Sequence, residues 1–154
     1  NIIMKICISA DHGGFELKNL LIKHIKVLGF EVVDLGAKIN DPEDDYPDTT
    51  EVVAKSISDK TYEKGIVLCG SGVGASVVAN KFKNVRAATC HDLYSAAQGV
   101  EHDDMNVLCL GGRIISEGLA KDIVKEFINA KFDPQERFER RKKKIEKIEK
   151  QNFN

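Results

Sequence analysis

The sequence lacks several features that define common classes of protein. Its 154 residues include no tryptophan and only three prolines, and no apolar run approaches the roughly 18–20 residues of a membrane-spanning helix. The 23 Lys and Arg residues are balanced by 24 Asp and Glu residues, so no overall basic charge favours nucleic acid. The composition excludes collagen-like and disordered classes, and the length predicts one globular domain.

The four cysteines form no C-x-x-C pair, so zinc-ribbon and thioredoxin-like sites have no support. Cys7, Cys90 and Cys109 lie in or beside apolar runs, where a free cysteine behaves as a small buried hydrophobe. Unpaired thiols suit a reducing compartment, and we therefore expect a cytoplasmic protein. No His or Cys pair has the spacing of metal ligands, so we expect no metal site.

Five short apolar runs alternate with helical patterns. The runs are Lys5–Ser9, Glu31–Asp34, Ile66–Cys69, Arg86–Thr89 and Val107–Leu110. Their continuous apolarity is typical of parallel strands buried on both faces. Helices are expected over residues 15–28, 48–60 and 92–100, after Gly74 and after Ser116, with the second begun by a capping box of Asp48 and Glu51. The alternation predicts an α/β fold, a three-layer doubly wound (Rossmann-like) parallel sheet of about five strands.

The last segment has a different character. Arg137–Lys150 contains eight basic and three acidic residues and only a thin apolar stripe. We treat residues 1–133 as a single α/β domain and residues 134–154 as its basic helical extension. This extension is either a solvated helix or a helix laid across a partner subunit, with arginines feeding an anion site. A nucleic-acid tail has less support, because aromatic residues do not interleave with the charges.

The segment Ile66–Lys81 combines a strand, a Gly-rich loop and the start of a helix. It reads IVLCGSGVGASVVANK, and its glycines would let backbone N–H groups form an anion cradle. Cys69 directly precedes the cradle, where a thiolate could act as a nucleophile or a carbon-acid base. The alternatives are a buried strand-end thiol, or a loose dinucleotide fingerprint that would use Asp92.

Two further segments carry acid–base side chains. Asp11 and His12 follow the first strand, and such a pair can move protons on a hydroxyl or ring oxygen, contact phosphate, or merely cap a helix. His102 lies just before the fifth strand and is a second acid–base candidate. We expect structural or surface roles for His24 and His91.

Several motifs together resemble a known family. They are DHGG at 11–14, DYP at 45–47, CGSGVG at 69–74, ANKF at 79–82, NVLCLGGR at 106–113 and the pair Arg137 and Arg141. This set resembles the type B ribose-5-phosphate isomerases, in the sugar-phosphate isomerase family that also holds galactose-6-phosphate and allose-6-phosphate enzymes. The resemblance covers residues from about Lys5 to Ile145.

The resemblance implies an aldose–ketose isomerisation without metal or organic cofactor. The first substrate it suggests is ribose 5-phosphate, converted to ribulose 5-phosphate in the pentose phosphate pathway. The residues similar to catalytic ones are Cys69 as the base that forms a cis-enediolate, Ser71 as its assistant, and Asp11 with His102 as the ring-opening pair. The residues similar to substrate ligands are Gly70, Gly72, Val73 and Gly74 in the cradle, Tyr46 and Asp103 at the sugar, and His12, Arg113, Arg137 and Arg141 at the phosphate.

The resemblance also implies a homodimer or tetramer whose active sites are shared between subunits. Its ligand would be a small sugar phosphate, with no nucleic-acid or membrane partner. The sequence departs from the family pattern at Asp103, where Asn is common, and at Phe138, where His is common. A six-carbon sugar phosphate as substrate, a non-catalytic sugar-phosphate sensor and a nucleotide-binding protein remain the alternatives.

Overall fold

The computed structural model describes residues 3–153, in which five strands alternate with helices. The strands are β1 (Ile6–Ala10), β2 (Val32–Asp34), β3 (Lys64–Cys69), β4 (Ala87–Thr89) and β5 (Val107–Gly111). The helices are α1 (Phe15–Val27), α2 (Tyr46–Ser58), α3 (Val73–Ala79), α4 (Leu93–Asp103), α5 (Glu117–Asn129) and α6 (Glu136–Asn152). Each predicted strand is therefore confirmed to within two residues. No helix in the part of the chain described is long and apolar enough to cross a membrane.

The five strands form one parallel sheet in the order β2-β1-β3-β5-β4. Along β3, Ile66 and Leu68 belong to one buried cluster, which includes residues of α1, α4 and α5. Val67 and Cys69 belong to a second cluster, which includes residues of α2 and α3. Because helices cover both faces, each strand is apolar at consecutive positions. The predicted three-layer α/β fold is confirmed.

The direction of chain progression reverses between β1 and β3. The chain moves from β1 outward to β2 and then returns to place β3 on the other side of β1. A crevice opens beyond the carboxyl ends of the strands at such a switch point. The Asp11 amide donates to the Leu68 carbonyl at 3.2 Å, which joins the end of β1 to the end of β3.

The start of α2 differs from its prediction. The helix begins at Tyr46, with Asp45 as an extended N-cap and Pro47 in the first turn. Proline is well suited to that position, because the first N–H groups of a helix have no partner within it. The predicted start at Asp48, based on its spacing to Glu51, is therefore two residues late.

Helix α6 lies against its own subunit along much of its length. Phe138 is buried, Lys142 Nζ is 2.6 Å from Asp104 Oδ2, and Glu149 Oε1 accepts a hydrogen bond from the Asn84 amide at 2.6 Å. The predicted C-terminal helix is thus present. Its contact with a partner subunit stays a prediction.

A buried lysine anchors the segment that follows β2. Lys18 of α1 is fully buried, with its Nζ 2.9 Å from Asp34 Oδ2 and donating to the Ala37 carbonyl at 2.8 Å. Lys38 also approaches Asp34, at 3.6 Å, but its side chain is exposed. The buried ion pair therefore fixes the start of the loop that leads to α2.

We predict that Lys18→Met lowers the free energy of unfolding by about 3 kcal/mol, because it leaves the Asp34 carboxylate without its buried partner. Lys38→Met is the matched control and should cost less than about 1 kcal/mol, since that pair is exposed. Urea unfolding followed by circular dichroism measures both. Equal losses in the two variants would contradict this account.

Candidate active site

An open cleft of about 660 Å³ lies at the carboxyl edge of the sheet, beside the switch point. The predicted site residues that line it are Asp11, Tyr46, Cys69, Gly70, Ser71, Val73, Gly74 and Arg113. They come from the segments that follow β1, β2, β3 and β5. The topology thus gathers polar groups that are far apart in the sequence.

Cys69 ends β3 at the base of the cleft and is 5% exposed. Its Sγ accepts a hydrogen bond from the Gly72 amide at 3.1 Å. Gly72 has a φ of 80°, a left-handed conformation that favours glycine. Its carbonyl accepts a hydrogen bond from Thr89 Oγ1 at 2.9 Å, so the end of β4 supports the loop. The sulfur therefore faces the Gly72 amide in a loop that is itself held in place.

The other three cysteines lie in the core. Burial raises the pKa of Cys7 to about 12 and that of Cys90 to about 11. The same cause raises the pKa of Cys109. These thiols stay protonated at neutral pH, and their predicted role as buried hydrophobes is confirmed.

The loop after Cys69 leaves amides available to a ligand. The N–H groups of Gly70 and Ser71 donate to no other group within residues 3–153. Gly74 lies in the first turn of α3, where amides have no partner within the helix. A Cβ at Gly74 would lie 2.5 Å from Tyr46 Cε1, so glycine is needed for the tyrosine ring to close this side of the cleft. The arrangement can hold negative charge.

Asp11 is a nearly buried carboxyl group beside Cys69. It is 6% exposed, and its Oδ1 accepts a hydrogen bond from the Gly13 amide at 2.8 Å. Burial raises the pKa of Asp11, against the opposing effect of that amide. The carboxyl group can therefore take up and release a proton closer to neutral pH than an exposed aspartate can.

His12 faces a second cavity of about 300 Å³ next to the cleft. Its Nδ1 is 2.7 Å from Asp44 Oδ1, and the hydrogen bond to Asp44 raises the pKa of His12. We did not predict Asp44 from the sequence. The signal for it was an acidic loop following the second strand, at the same edge of the sheet as His12.

Asp11, His12 and Asp44 also form the one group of potential metal ligands found among residues 3–153. Their donor atoms lie within 4.8 Å of one another. Asp11 already accepts from a backbone amide, and Asp44 already accepts from the His12 ring. Hydrogen bonding within the protein accounts for this cluster, and we assign no metal to it.

The remaining predicted residues form a separate group near the amino ends of the strands, on the side opposite the cleft. His102 and Asp103 end α4, whose eleven residues span about 16 Å from the carboxyl edge. The His102 ring stacks on the Phe138 ring, with 4.0 Å between the ring centres. Arg137 Cζ lies 4.7 Å from the centre of the Phe138 ring. Arg141 follows one turn later on α6. A single chain does not bring this group to Cys69, so the expected pairing of Asp11 with His102 is absent within one subunit.

His91 supports the loop that carries Arg113. Its Nε2 accepts a hydrogen bond from the Gly111 amide at 3.0 Å. The next two amides donate to β3 and its loop, Gly112 to the Cys69 carbonyl at 2.8 Å and Arg113 to the Gly70 carbonyl at 3.0 Å. Burial lowers the pKa of His91, which keeps the ring neutral and able to accept. The expected structural role of His91 is confirmed.

A thiol, a buried carboxyl group and available backbone amides in one α/β cleft suit the class of proteins that transfer protons on an anionic substrate. Comparison with known proteins agrees with this class, because residues 6–148 match the family model described as Ribose/Galactose Isomerase. The chain belongs to this family. It is an aldose–ketose isomerase.

Individual relatives extend over most of the chain. Ribose-5-phosphate isomerase B of Escherichia coli is 39% identical over 84% of this chain and 86% of its own. D-erythrulose-4-phosphate isomerase of Pectobacterium atrosepticum is 36% identical over 85% and 86%. The crystal structure of ribose-5-phosphate isomerase B from Mycoplasma genitalium with bound ribulose 5-phosphate superposes with a TM-score of 0.92. It has 38% identity over 99% of this chain and 100% of that one.

We predict that His91→Gln reduces the pH dependence of stability below neutral pH. Because the pKa of His91 is lowered on folding, the unfolded chain binds a proton that the folded chain does not. Stability from this residue is therefore present above the ordinary His pKa of 6.5 and is lost as the pH falls below it. Urea midpoints at about pH 7.5 and about pH 5.5 should differ less in the variant. The same difference in both proteins would count against a role for His91.

Proposed function

We propose that this chain interconverts ribose 5-phosphate and ribulose 5-phosphate through a cis-enediolate, with Cys69 as the base. The observation that carries the proposal is the Cys69 sulfur, held 3.1 Å from the Gly72 amide in a cleft with unbonded neighbouring amides. The relatives that act on five-carbon sugar phosphates support the choice of substrate. The four-carbon relative makes D-erythrulose 4-phosphate the second candidate.

In the proposed mechanism, the Cys69 thiolate removes the proton from C2 of the open-chain aldose. The electron pair forms the C1–C2 double bond, and the charge develops on O1, where the amides of the cradle stabilise it. Ser71 assists transfer of the O2 proton to O1. The thiol then returns its proton to C1, which leaves the carbonyl group at C2. No external oxidant or reductant is needed.

Other residues prepare the substrate for this step. Asp11 shares in ring opening because burial has raised its pKa. His12 and Arg113 bind the phosphate from one subunit, and Tyr46 lines the sugar. Binding energy from the phosphate then serves to align the reacting carbons with Cys69.

We further propose a homodimer in which each cleft is completed by His102, Asp103, Arg137 and Arg141 of a second copy. Two observations support it. The resemblance assigns one set of residues to a single site, but within a chain these residues form two groups. One group lines the cleft, and the other lies near the end of α4, about the length of that helix away. The cleft mouth also carries exposed apolar side chains, namely Val73, Val77 and Ile114, which are 60%, 56% and 59% exposed. Such a patch beside a site favours contact with another protein surface.

A nucleotide-binding function has less support. The dinucleotide fingerprint requires an acidic side chain to bind a ribose. Asp92 instead caps α4, since its Oδ1 accepts a hydrogen bond from the Ser95 amide at 2.7 Å.

We predict that Cys69→Ala lowers kcat for the best substrate by at least about 10³, because it removes the base while leaving the phosphate ligands in place. Turnover would be measured on four-, five- and six-carbon aldose and ketose phosphates. Cys90→Ala, which removes a core thiol outside the cleft, is the control and should retain activity. Undiminished turnover in Cys69→Ala would overturn the proposed base.

We predict that two inactive variants restore activity when their subunits are mixed. In a dimer of Cys69→Ala with Arg137→Ala, one site receives both changes and the other receives none, so random mixing should recover about a quarter of full activity. The control mixes Cys69→Ala with Asp11→Ala, which affect the same half of the site and should recover nothing. Equal recovery, or none in either mixture, would contradict shared sites.

A further inference from the structure

Asp44 makes two hydrogen bonds to a single residue. Its Oδ1 accepts from the His12 amide at 3.0 Å and lies 2.7 Å from His12 Nδ1. One carboxylate oxygen thus holds both the backbone and the ring of His12. A contact with the ring alone would leave the backbone of His12 free to move. The hydrogen bond from the His12 amide to the same oxygen removes that freedom.

The geometry determines which edge of the imidazole is presented. An ionised carboxylate only accepts hydrogen bonds, so Nδ1 must carry a proton. Nε2 makes no hydrogen bond within residues 3–153. The His12 side chain is 33% exposed and the Asp44 side chain only 15%. His12 lines the cavity and Asp44 does not, so the more exposed imidazole has its Nε2 edge available to a ligand.

Asp44 is held from both sides along the chain. Its amide donates to the Asp41 carbonyl at 3.2 Å, and the start of the loop is tied to the buried Lys18 through Ala37. Two residues after Asp44, the Tyr46 ring packs against Gly74. The carboxylate is thus a fixed support rather than a mobile surface charge.

The charges around His12 favour its protonated form. Asp44 has the largest effect in raising the pKa of His12, and Asp11 adds to it. Arg113 and partial burial of the ring act in the opposite direction. Glu16 and Glu117 line the same cavity from α1 and α5. These two carboxylates also favour the imidazolium but repel a phosphate, so the phosphate would meet His12 on the side of the cleft that Arg113 lines.

We propose that Asp44 is a positioning residue that holds the His12 ring in place for the substrate phosphate. The inference rests on the proposed role of His12 as a phosphate ligand. It adds to the site a residue that the motifs did not assign. Asp44 itself does not touch the substrate, because the imidazole lies between them.

The test compares Asp44→Asn with Glu43→Gln in the full chain. Glu43 is an exposed neighbour in the same loop, so the control removes one negative charge without touching His12. The titration midpoint of His12 is measured by NMR, with its signal assigned from His12→Asn. KM for the sugar phosphate and the inhibition constant of inorganic phosphate are measured from about pH 5.5 to about pH 8. Asp44→Glu tests rescue by a longer carboxylate.

We expect a lower His12 midpoint in Asp44→Asn and no change in Glu43→Gln. The ratio of the Asp44→Asn KM to the wild-type KM should stay near one at low pH and rise toward pH 8, because the imidazole of the variant loses its charge at a lower pH than that of the wild type. The inhibition constant of inorganic phosphate should follow the same trend with pH. Asp44→Glu should restore most of the wild-type KM and of the wild-type inhibition constant. A loss that is constant with pH would indicate loop damage alone.

Three results would overturn the inference: an unchanged midpoint, a KM ratio that is flat with pH, or an equal effect in Glu43→Gln. Failure of the proposed function looks different. In that case the wild-type protein turns over no sugar phosphate, while the His12 midpoint still depends on Asp44.

Discussion

The pairing of β1 with β3 is the constraint on which the site depends. Parallel pairing brings the carboxyl end of one strand beside that of the other, so Asp11 and Cys69 share a cleft although 58 positions separate them. The loop after β5 then joins the same edge through the Gly112 and Arg113 amides. The groups that line the cleft within one chain are placed relative to these strand ends. The cleft gains rigidity because Cys69 and Asp11 sit at the ends of buried strands.

The fold could be predicted well because its signals are local. Continuous apolarity marks strands covered on both faces, and Ser116 gave the start of α5, where its Oγ accepts from the Leu119 amide. The start of α2 was predicted less well because Asp48 and Glu51 have capping-box spacing, whereas Asp45 and Pro47 begin the helix. Two overlapping capping signals compete there, and spacing alone does not decide between them.

The site was predicted only in part, for a physical reason. Gly-rich loops and a strand-end thiol are visible in sequence, so Cys69 and its cradle could be located. The Asp44–His12 contact spans 32 positions and depends on how a loop folds back, which no local pattern encodes. The family resemblance supplied His102 and Arg137 as site residues. The fold of one chain places them around Phe138 instead, far from the thiol.

Phe138 occupies a position where the resemblance leads us to expect histidine. An apolar ring at this position is buried and packs against both the His102 ring and the Arg137 guanidinium. A histidine there would offer a hydrogen bond but less apolar surface, whereas phenylalanine offers a face to which both a flat ring and a cation can bind. Phe138 thus supports the His102 ring and the Arg137 guanidinium by packing rather than by a hydrogen bond. In the proposed dimer, phosphate binding at that end of the molecule would fall to the arginines of α6, with Arg137 held in place by the ring beneath it.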